Sequence, residues 1–187
     1  MSTSRDNPSG LGGRKWLILV VAALAVATGF LARRFVVPGD APAKPDRKEE
    51  VAKQLDFALD ALDGGRVSAE DYRGRVLVVD FWATWCGPCR LQDEILHALH
   101  ERYQSEPVSF IAINVGEPLD LVRDFVKDDP FAYPVLMDPA QSLSAKYGIY
   151  ALPTVMVLGP EQQILFQNMG VSTGIQVRSA IDRALGG

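Results

Sequence analysis

The stretch RVLVVDFWATWCGPCR, Arg75 to Arg90, decides the fold. Arg75 to Trp82 is a valine-rich apolar run of strand length, the pattern of a strand covered on both faces. Small and turn-forming residues then interrupt it, and Pro88 suits the first turn of a helix, where its missing N–H costs nothing. A helix is expected from Pro88 to Tyr103. A buried strand that runs into a helix start therefore carries Cys86 and Cys89, the only cysteines of the chain. Two intervening residues let the sulfurs reach disulfide distance with little movement. Cys86 sits at the helix N-terminus, where unpaired amides and the macrodipole favour a thiolate. Cys89, one turn in, is more shielded. Cys86 is then the sulfur that attacks or is attacked, and Cys89 the one that resolves the mixed disulfide.

Other chemistries fit this pair less well. Zinc would need His97 and His100, but Cys89 and His97 are eight residues apart on one helix, ~12 Å along its axis. A purely structural bridge around two residues restrains the unfolded chain very little. Two cysteines are also too few for a disulfide framework.

Outward from this centre, the chain reads as alternating strands and helices. Leu55 to Leu59 alternates, and Asp63-Gly64-Gly65 turns it into Arg66-Val67-Ser68 as a short hairpin. Val108 to Val115 is a second buried strand. Pro118 to Lys127 reads as a helix with proline in its first turn, Pro134 to Met137 as a short strand, and Pro139 to Tyr147 as a short helix stopped by Gly148. Thr154 to Leu158 and Gln163 to Phe166 form strands across a Gly159-Pro160 turn. Thr173 to Gln176 is a capping box that opens a last helix to Leu185. The class is α/β, with a central sheet parallel in its first half and ending in a hairpin.

The N-terminal part differs in kind. Residues 1–15 lack apolar periodicity and read as a disordered tail. Trp16 to Ala32 runs 17 residues without a charge. As a helix it covers ~26 Å. With Arg33 to Val37 added and the arginines snorkelling, it reaches the ~30 Å hydrocarbon core. Residues 16–37 thus read as a transmembrane signal anchor. A buried soluble helix would show polar periodicity. A cleaved signal peptide is the nearer rival, since Ala41-Pro42-Ala43 has a cleavage-site form, but two arginines close the apolar run first. Basic residues flank both ends, so the positive-inside count does not orient the span. Residues 38–50 are proline-rich and charged, a semi-stiff linker, and residues 51–187 form the folded domain. Net charge is +3 over residues 1–50 and −7 over the rest, for −4 in total. An acidic body argues against nucleic-acid binding.

Val79 to Cys89 resembles the active-site stretch of the thioredoxin superfamily almost letter for letter, and Ala151-Leu152-Pro153-Thr154 resembles its second signature. The 64-residue spacing from Cys89 to Pro153, Asn114-Val115-Gly116-Glu117, and the lead-in through Leu55-Asp56-Phe57, Leu62-Asp63-Gly64 and Tyr72-Arg73-Gly74-Arg75 are similar to the membrane-anchored TlpA/ResA/DsbE branch. The resemblance implies a thioredoxin-like fold: a mixed sheet flanked by helices, with an N-terminal hairpin and an inserted strand–helix, preceded by one transmembrane helix. It implies a cis-Pro153 facing the cysteines, with Trp85, Gly87, Pro88, Leu152 and Pro153 in substrate binding. Asp80 matches the buried acid that moves a proton to or from Cys89, and Glu117 an acid near the cysteines that tunes the thiols or meets substrate. Two departures stand out. Ala112 replaces the lysine beside the buried acid, and Gln92, followed by Asp93 and Glu94, replaces a frequent glutamate.

By the same resemblance, the chain is an extracytoplasmic thiol–disulfide reductase at the inner membrane of a bacterium, with the periplasm as its compartment. No cofactor is implied beyond the redox-active disulfide. Partners would be client proteins with disulfides, foremost the Cys-x-x-Cys-His motif of apocytochrome c in cytochrome c maturation. Electrons would come from a membrane thiol-reductase of the CcdA/DsbD type. Copper-protein cysteines are an alternative client, and a general disulfide oxidoreductase an alternative role. A copper-binding chaperone fits less well, because its usual cysteine spacing is one residue longer and Pro153 would block metal access. The Gly87-Pro88 dipeptide is that of thioredoxin, whose potential near about −270 mV is reducing.

Overall fold

The computed structural model describes residues 54–186. The tail, the transmembrane anchor and the linker expected over residues 1–50 lie outside them. Among the described residues no helix is long and apolar enough to cross a membrane.

The elements run β1 (Ala58–Ala61), β2 (Arg66–Ser68), β3 (Val76–Trp82), α1 (Gly87–Arg102), β4 (Val108–Val115), α2 (Leu119–Asp128), β5 (Val135–Asp138), α3 (Ser142–Lys146), β6 (Thr154–Leu158), β7 (Ile164–Met169) and α4 (Gly174–Leu185). One seven-stranded sheet takes the order β2-β1-β5-β4-β3-β6-β7. The parallel part, β5-β4-β3, is the middle of the sheet. The N-terminal hairpin pairs antiparallel with β5, and β6-β7 continues antiparallel from β3. The sheet is mixed, as expected, with its parallel part flanked on both sides.

All seven residues of β3 are buried. Successive side chains point to opposite faces. Val76, Val78 and Trp82 enter a core with Leu96 and Leu99 of α1, Val122 of α2 and Val177 and Ile181 of α4. Leu77, Val79 and Phe81 enter a second core with Leu55, Phe57, Leu143, Tyr147 and Ile149. Each such side chain contributes roughly 1.5–3 kcal/mol by leaving water, so both faces of the strand need a cover.

Element ends follow local chemistry. The alternating run from Leu55 enters the sheet only at Ala58. Leu55 and Phe57 are buried on an extended segment whose polar groups bond elsewhere: Leu55 N–H donates to the Gln162 carbonyl and Asp56 N–H to the Tyr147 hydroxyl. Pro118 is the cap of α2, one place earlier than its first turn. Thr173 and Gln176 form the capping box of α4.

The helix expected from Pro139 is shorter, because Asp138 sets its start. Its buried carboxylate accepts from Leu143 N–H at 3.2 Å, Ser144 N–H at 2.9 Å and the Ser142 hydroxyl at 3.2 Å. Asp138→Ala orphans buried backbone donors and should cost ~2–4 kcal/mol. Asp138→Asn keeps an acceptor and should cost less. Urea unfolding midpoints of the two variants check this order.

Candidate active site

Topology gathers the site at one edge of the sheet. β3, β4 and β5 are parallel, so their C-terminal ends share an edge. β6 runs the other way, pairing Thr154 with Phe81, so its start lies at that edge too. The loop after β3 carries Cys86, the loop after β4 carries Glu117, and Pro153 immediately precedes β6. Crevices at the carboxyl ends of parallel strands are the usual place for chemistry in open α/β sheets.

Cys86 is the N-cap of α1, with Pro88 in the first turn, and Cys89 N–H donates to the Cys86 carbonyl at 3.1 Å. The two cysteines form a disulfide with Cα atoms 5.3 Å apart. Their residues are buried, Cys86 at 4% and Cys89 at 2% exposure. Trp85, next to them, is 73% exposed. Across the sheet edge the Leu152–Pro153 bond is cis. Leu152 packs against the core that contains both cysteines, and Tyr150 at the mouth of that loop is 84% exposed. The cysteine loop and the proline loop thus each carry a large exposed aromatic side chain, Trp85 and Tyr150.

Glu117 is buried, and hydrogen bonds occupy both of its oxygens. They accept from Thr84 N–H at 2.7 Å, the Thr84 hydroxyl at 2.6 Å and Asn114 Nδ2 at 2.7 Å. This acid holds the loop two residues before Cys86. Its side chain clamps the approach to the cysteines from the end of β4.

Asp80 lies wholly inside, on the β3 face that also meets α1. Neither carboxyl oxygen finds a hydrogen-bond partner among the described residues. Its cross-strand neighbours are Ala112 and Val155, both apolar. Burial pushes its carboxyl well above the ordinary 3.8, and the charge of Asp93 adds to the rise. A carboxyl whose hold on a proton is strengthened by burial is suited to exchange one with a thiol.

Two neighbours of Cys89 on α1 have partners that no motif signals. Gln92 is fully buried, and its Oε1 accepts from Ser172 N–H at 2.6 Å, which ties α1 to the loop after β7. Asp93 accepts from the Tyr133 hydroxyl at 2.9 Å. Thr84, Asn114, Tyr133 and Ser172 are the site residues missed from sequence. Only the first two carry a signal, as polar positions within the thioredoxin-like motifs. Of the two histidines, His97 lies 3.5 Å from Glu101, and His100 packs edge-on to Phe110 and Tyr133.

The profile of the AhpC/TSA family matches residues 51–167, and the chain belongs to that family. The chain is 29% identical to the thiol-disulfide oxidoreductase ResA of Bacillus subtilis, over 72% of this chain and 74% of that protein. Among solved structures it is similar to a DsbE thiol:disulfide interchange protein from Chlorobium tepidum, with 28% identity, TM-score 0.68 and coverage of 72% of this chain and 97% of that one. A DsbF homologue from Corynebacterium diphtheriae aligns with 27% identity and TM-score 0.64 over 73% and 88% of the two chains. The fold is thioredoxin-like, and the Cys86–Cys89 pair is that of a thiol–disulfide oxidoreductase.

Two substitutions probe the two acids. Between the ordinary carboxyl midpoint of 3.8 and the raised midpoint of folded Asp80, the folded state binds more protons than the unfolded one. Stability therefore falls as pH rises through that window. Asp80→Asn removes the loss: its thermal midpoint should exceed the wild type's by roughly 3 °C or more at pH 7. The gain should fade as pH falls towards the ordinary carboxyl midpoint, in scanning calorimetry of the oxidised protein. Glu117→Ala orphans Thr84 N–H and Asn114 Nδ2 and should cost ~2–4 kcal/mol in chemical denaturation.

Proposed function

We propose that this AhpC/TSA-family oxidoreductase works in the reducing direction on disulfides of other proteins, tethered to the extracytoplasmic face of a bacterial membrane. The observation that carries this reading is the single Cys86–Cys89 disulfide at a helix N-terminus, beside the loop of cis-Pro153. The apolar run of residues 16–37 supports the tether. The compartment outside the membrane is oxidising, so a reductant there depends on supplied electrons. A membrane thiol-reductase of the CcdA/DsbD type is the donor this reading requires. The client is the Cys-x-x-Cys-His segment of an apocytochrome c, whose cysteines must be reduced before haem attaches. The likeness to ResA and DsbE supports that choice.

The chemistry follows from the placement of the residues. In the dithiol form, helix-terminal amides favour the Cys86 thiolate. It attacks one sulfur of the client disulfide, and that S–S bond breaks. The first client sulfur leaves as a thiolate and takes a proton from water. Cys86 and the client now share a mixed disulfide. Cys89 gives its thiol proton to the Asp80 carboxylate and attacks the Cys86 sulfur. The second client thiolate leaves, and the Cys86–Cys89 disulfide forms. The client gains two electrons, and the enzyme gives up two. Trp85, Gly87 and Pro88 on one loop, and Leu152 and Pro153 on the other, frame the path by which a client segment reaches Cys86. The proline loop presents backbone for strand-like pairing with that segment.

Cys86→Ser should lower disulfide reduction by at least ~10³-fold, as loss of a nucleophile does. Cys89→Ser should leave the first attack intact and accumulate a mixed disulfide. Non-reducing electrophoresis of cells expressing the Cys89→Ser chain, followed by identification of the trapped band, checks both steps. Capture of an apocytochrome c supports the assigned client, and the absence of any adduct overturns the reductase reading.

A further inference from the structure

The turn that follows β7 is hydrogen-bonded both to the proline loop and to the cysteine helix. On one side, Gly170 N–H donates to the Pro153 carbonyl at 2.7 Å. This bond carries the β6–β7 pairing one rung past Thr154 and Met169, onto the cis-proline itself. On the other side, Ser172 N–H donates to Gln92 Oε1 at 2.6 Å. Gln92 is fully buried on α1, three residues after Cys89 and so on the same face of the helix. Between these bonds, Asn168 Nδ2 donates to the Gly170 carbonyl at 3.0 Å and to the Ser172 hydroxyl at 3.1 Å. A continuous path of hydrogen bonds thus runs from the Pro153 carbonyl through Gly170, Asn168 and Ser172 to Gln92.

The turn has little freedom to give. Gly170 has a φ of +92°, a conformation that residues with a Cβ rarely adopt. Ser172 is buried, and Thr173 caps α4 directly after it. Gly174, the first residue of α4, also lies against α1: an added Cβ there would stand 3.6 Å from the Ile95 Cγ2. The Thr154 hydroxyl donates to the Ala151 carbonyl at 2.7 Å and holds the proline loop from within. Cys86 and Cys89 belong to one helix start, so their mutual geometry does not pass through this turn. The gap between α1 and the Pro153 loop does.

We propose that Gln92 and Asn168 are positioning residues that set the gap between the cysteines and the Pro153 loop, and so favour disulfides borne on a polypeptide over small free disulfides. A client segment paired with the proline loop presents its disulfide to Cys86 at the distance this gap fixes, and alignment of that kind carries much of the rate. A small disulfide is not held by the loop and meets Cys86 without it. Neither residue touches client or sulfur in this role. The role rests on the client seat and dithiol chemistry proposed above, but its first readout needs no client.

Amide hydrogen exchange of the oxidised full chain, resolved by residue with NMR, is the first test. Gln92→Met fills similar space and removes the acceptor, which leaves the Ser172 donor bare. Exchange at Ser172 should quicken, and exchange at Gly170, on the far side of the turn, should quicken with it by about tenfold. Gln92→Glu keeps an acceptor and should restore most of the protection. The second test compares single-turnover reduction of insulin and of dithiobis(nitrobenzoate) by the reduced full chain. In Gln92→Met the insulin rate should fall by about tenfold relative to the aryl disulfide rate. Asn168→Ala, at a half-buried position, should lower the same ratio. The double variant should lower it little further, since both substitutions cut one path. Unchanged Gly170 exchange in both Gln92→Met and Asn168→Ala overturns the proposal, as does an insulin-to-aryl ratio that neither variant moves while the wild-type chain reduces insulin. If the wild-type chain does not reduce insulin, the protein-disulfide reading falls, and Gly170 exchange alone decides whether the turn couples α1 to the proline loop.

Discussion

The burial of β3 on both faces is the constraint on which the rest depends. Seven consecutive residues have almost no contact with water, so the strand exists only if two layers cover it. α1, α2 and α4 supply one layer, and α3 with the segment around Leu55 and Phe57 supplies the other. The same strand delivers the chain to the edge where α1 begins. A helix that follows a fixed strand directly has a fixed start, and that start is Cys86. Positional precision at the sulfurs is thus inherited from apolar burial several residues away.

One polar residue interrupts this strand. A carboxyl group without a hydrogen-bond partner is expensive in such a place, and burial strengthens the hold of Asp80 on a proton. The expense falls on the residue to which the proposed mechanism gives the proton transfer. Around it, hydrogen bonds from distant parts of the chain converge on α1 and its approach. Glu117 holds Thr84, Gln92 holds the Ser172 backbone, and Tyr133 holds Asp93. Each tie joins the cysteine segment to a different loop, so the site is braced from three directions.

Much of this is legible in the amino-acid sequence. The valine-rich run from Arg75, the proline in the first turn of α1 and the Thr173 capping box are local signals, and their elements fall within a residue or two of expectation. The disulfide partner needs no search, because only two cysteines exist. Pairing across long separations is not legible in this way. Tyr133 stands 40 residues from Asp93 and Ser172 stands 80 from Gln92, and no periodicity encodes such contacts. Glu117 is recognisable as a site acid. Its orientation depends on how the end of β4 lies beside the turn after β3, and tertiary packing settles that. The short helix α3 begins later than its proline suggests, because the Asp138 side chain, four residues ahead of it, sets where its backbone bonds begin.

The two borders of the sheet are unlike. One ends in β2, three residues long and carrying Arg66, a truncated and charged border that offers a stray chain almost no ladder to extend. The other ends in β7, six residues of sequence ILFQNM with no charge and with alternate side chains turned outwards. Among the described residues no named strand pairs with its outer side, so it is the longer open border. An uncharged border of this length is the kind that invites strand pairing with another chain, and a lysine at an outward position, such as Leu165 or Gln167, is the substitution that blunts such a border.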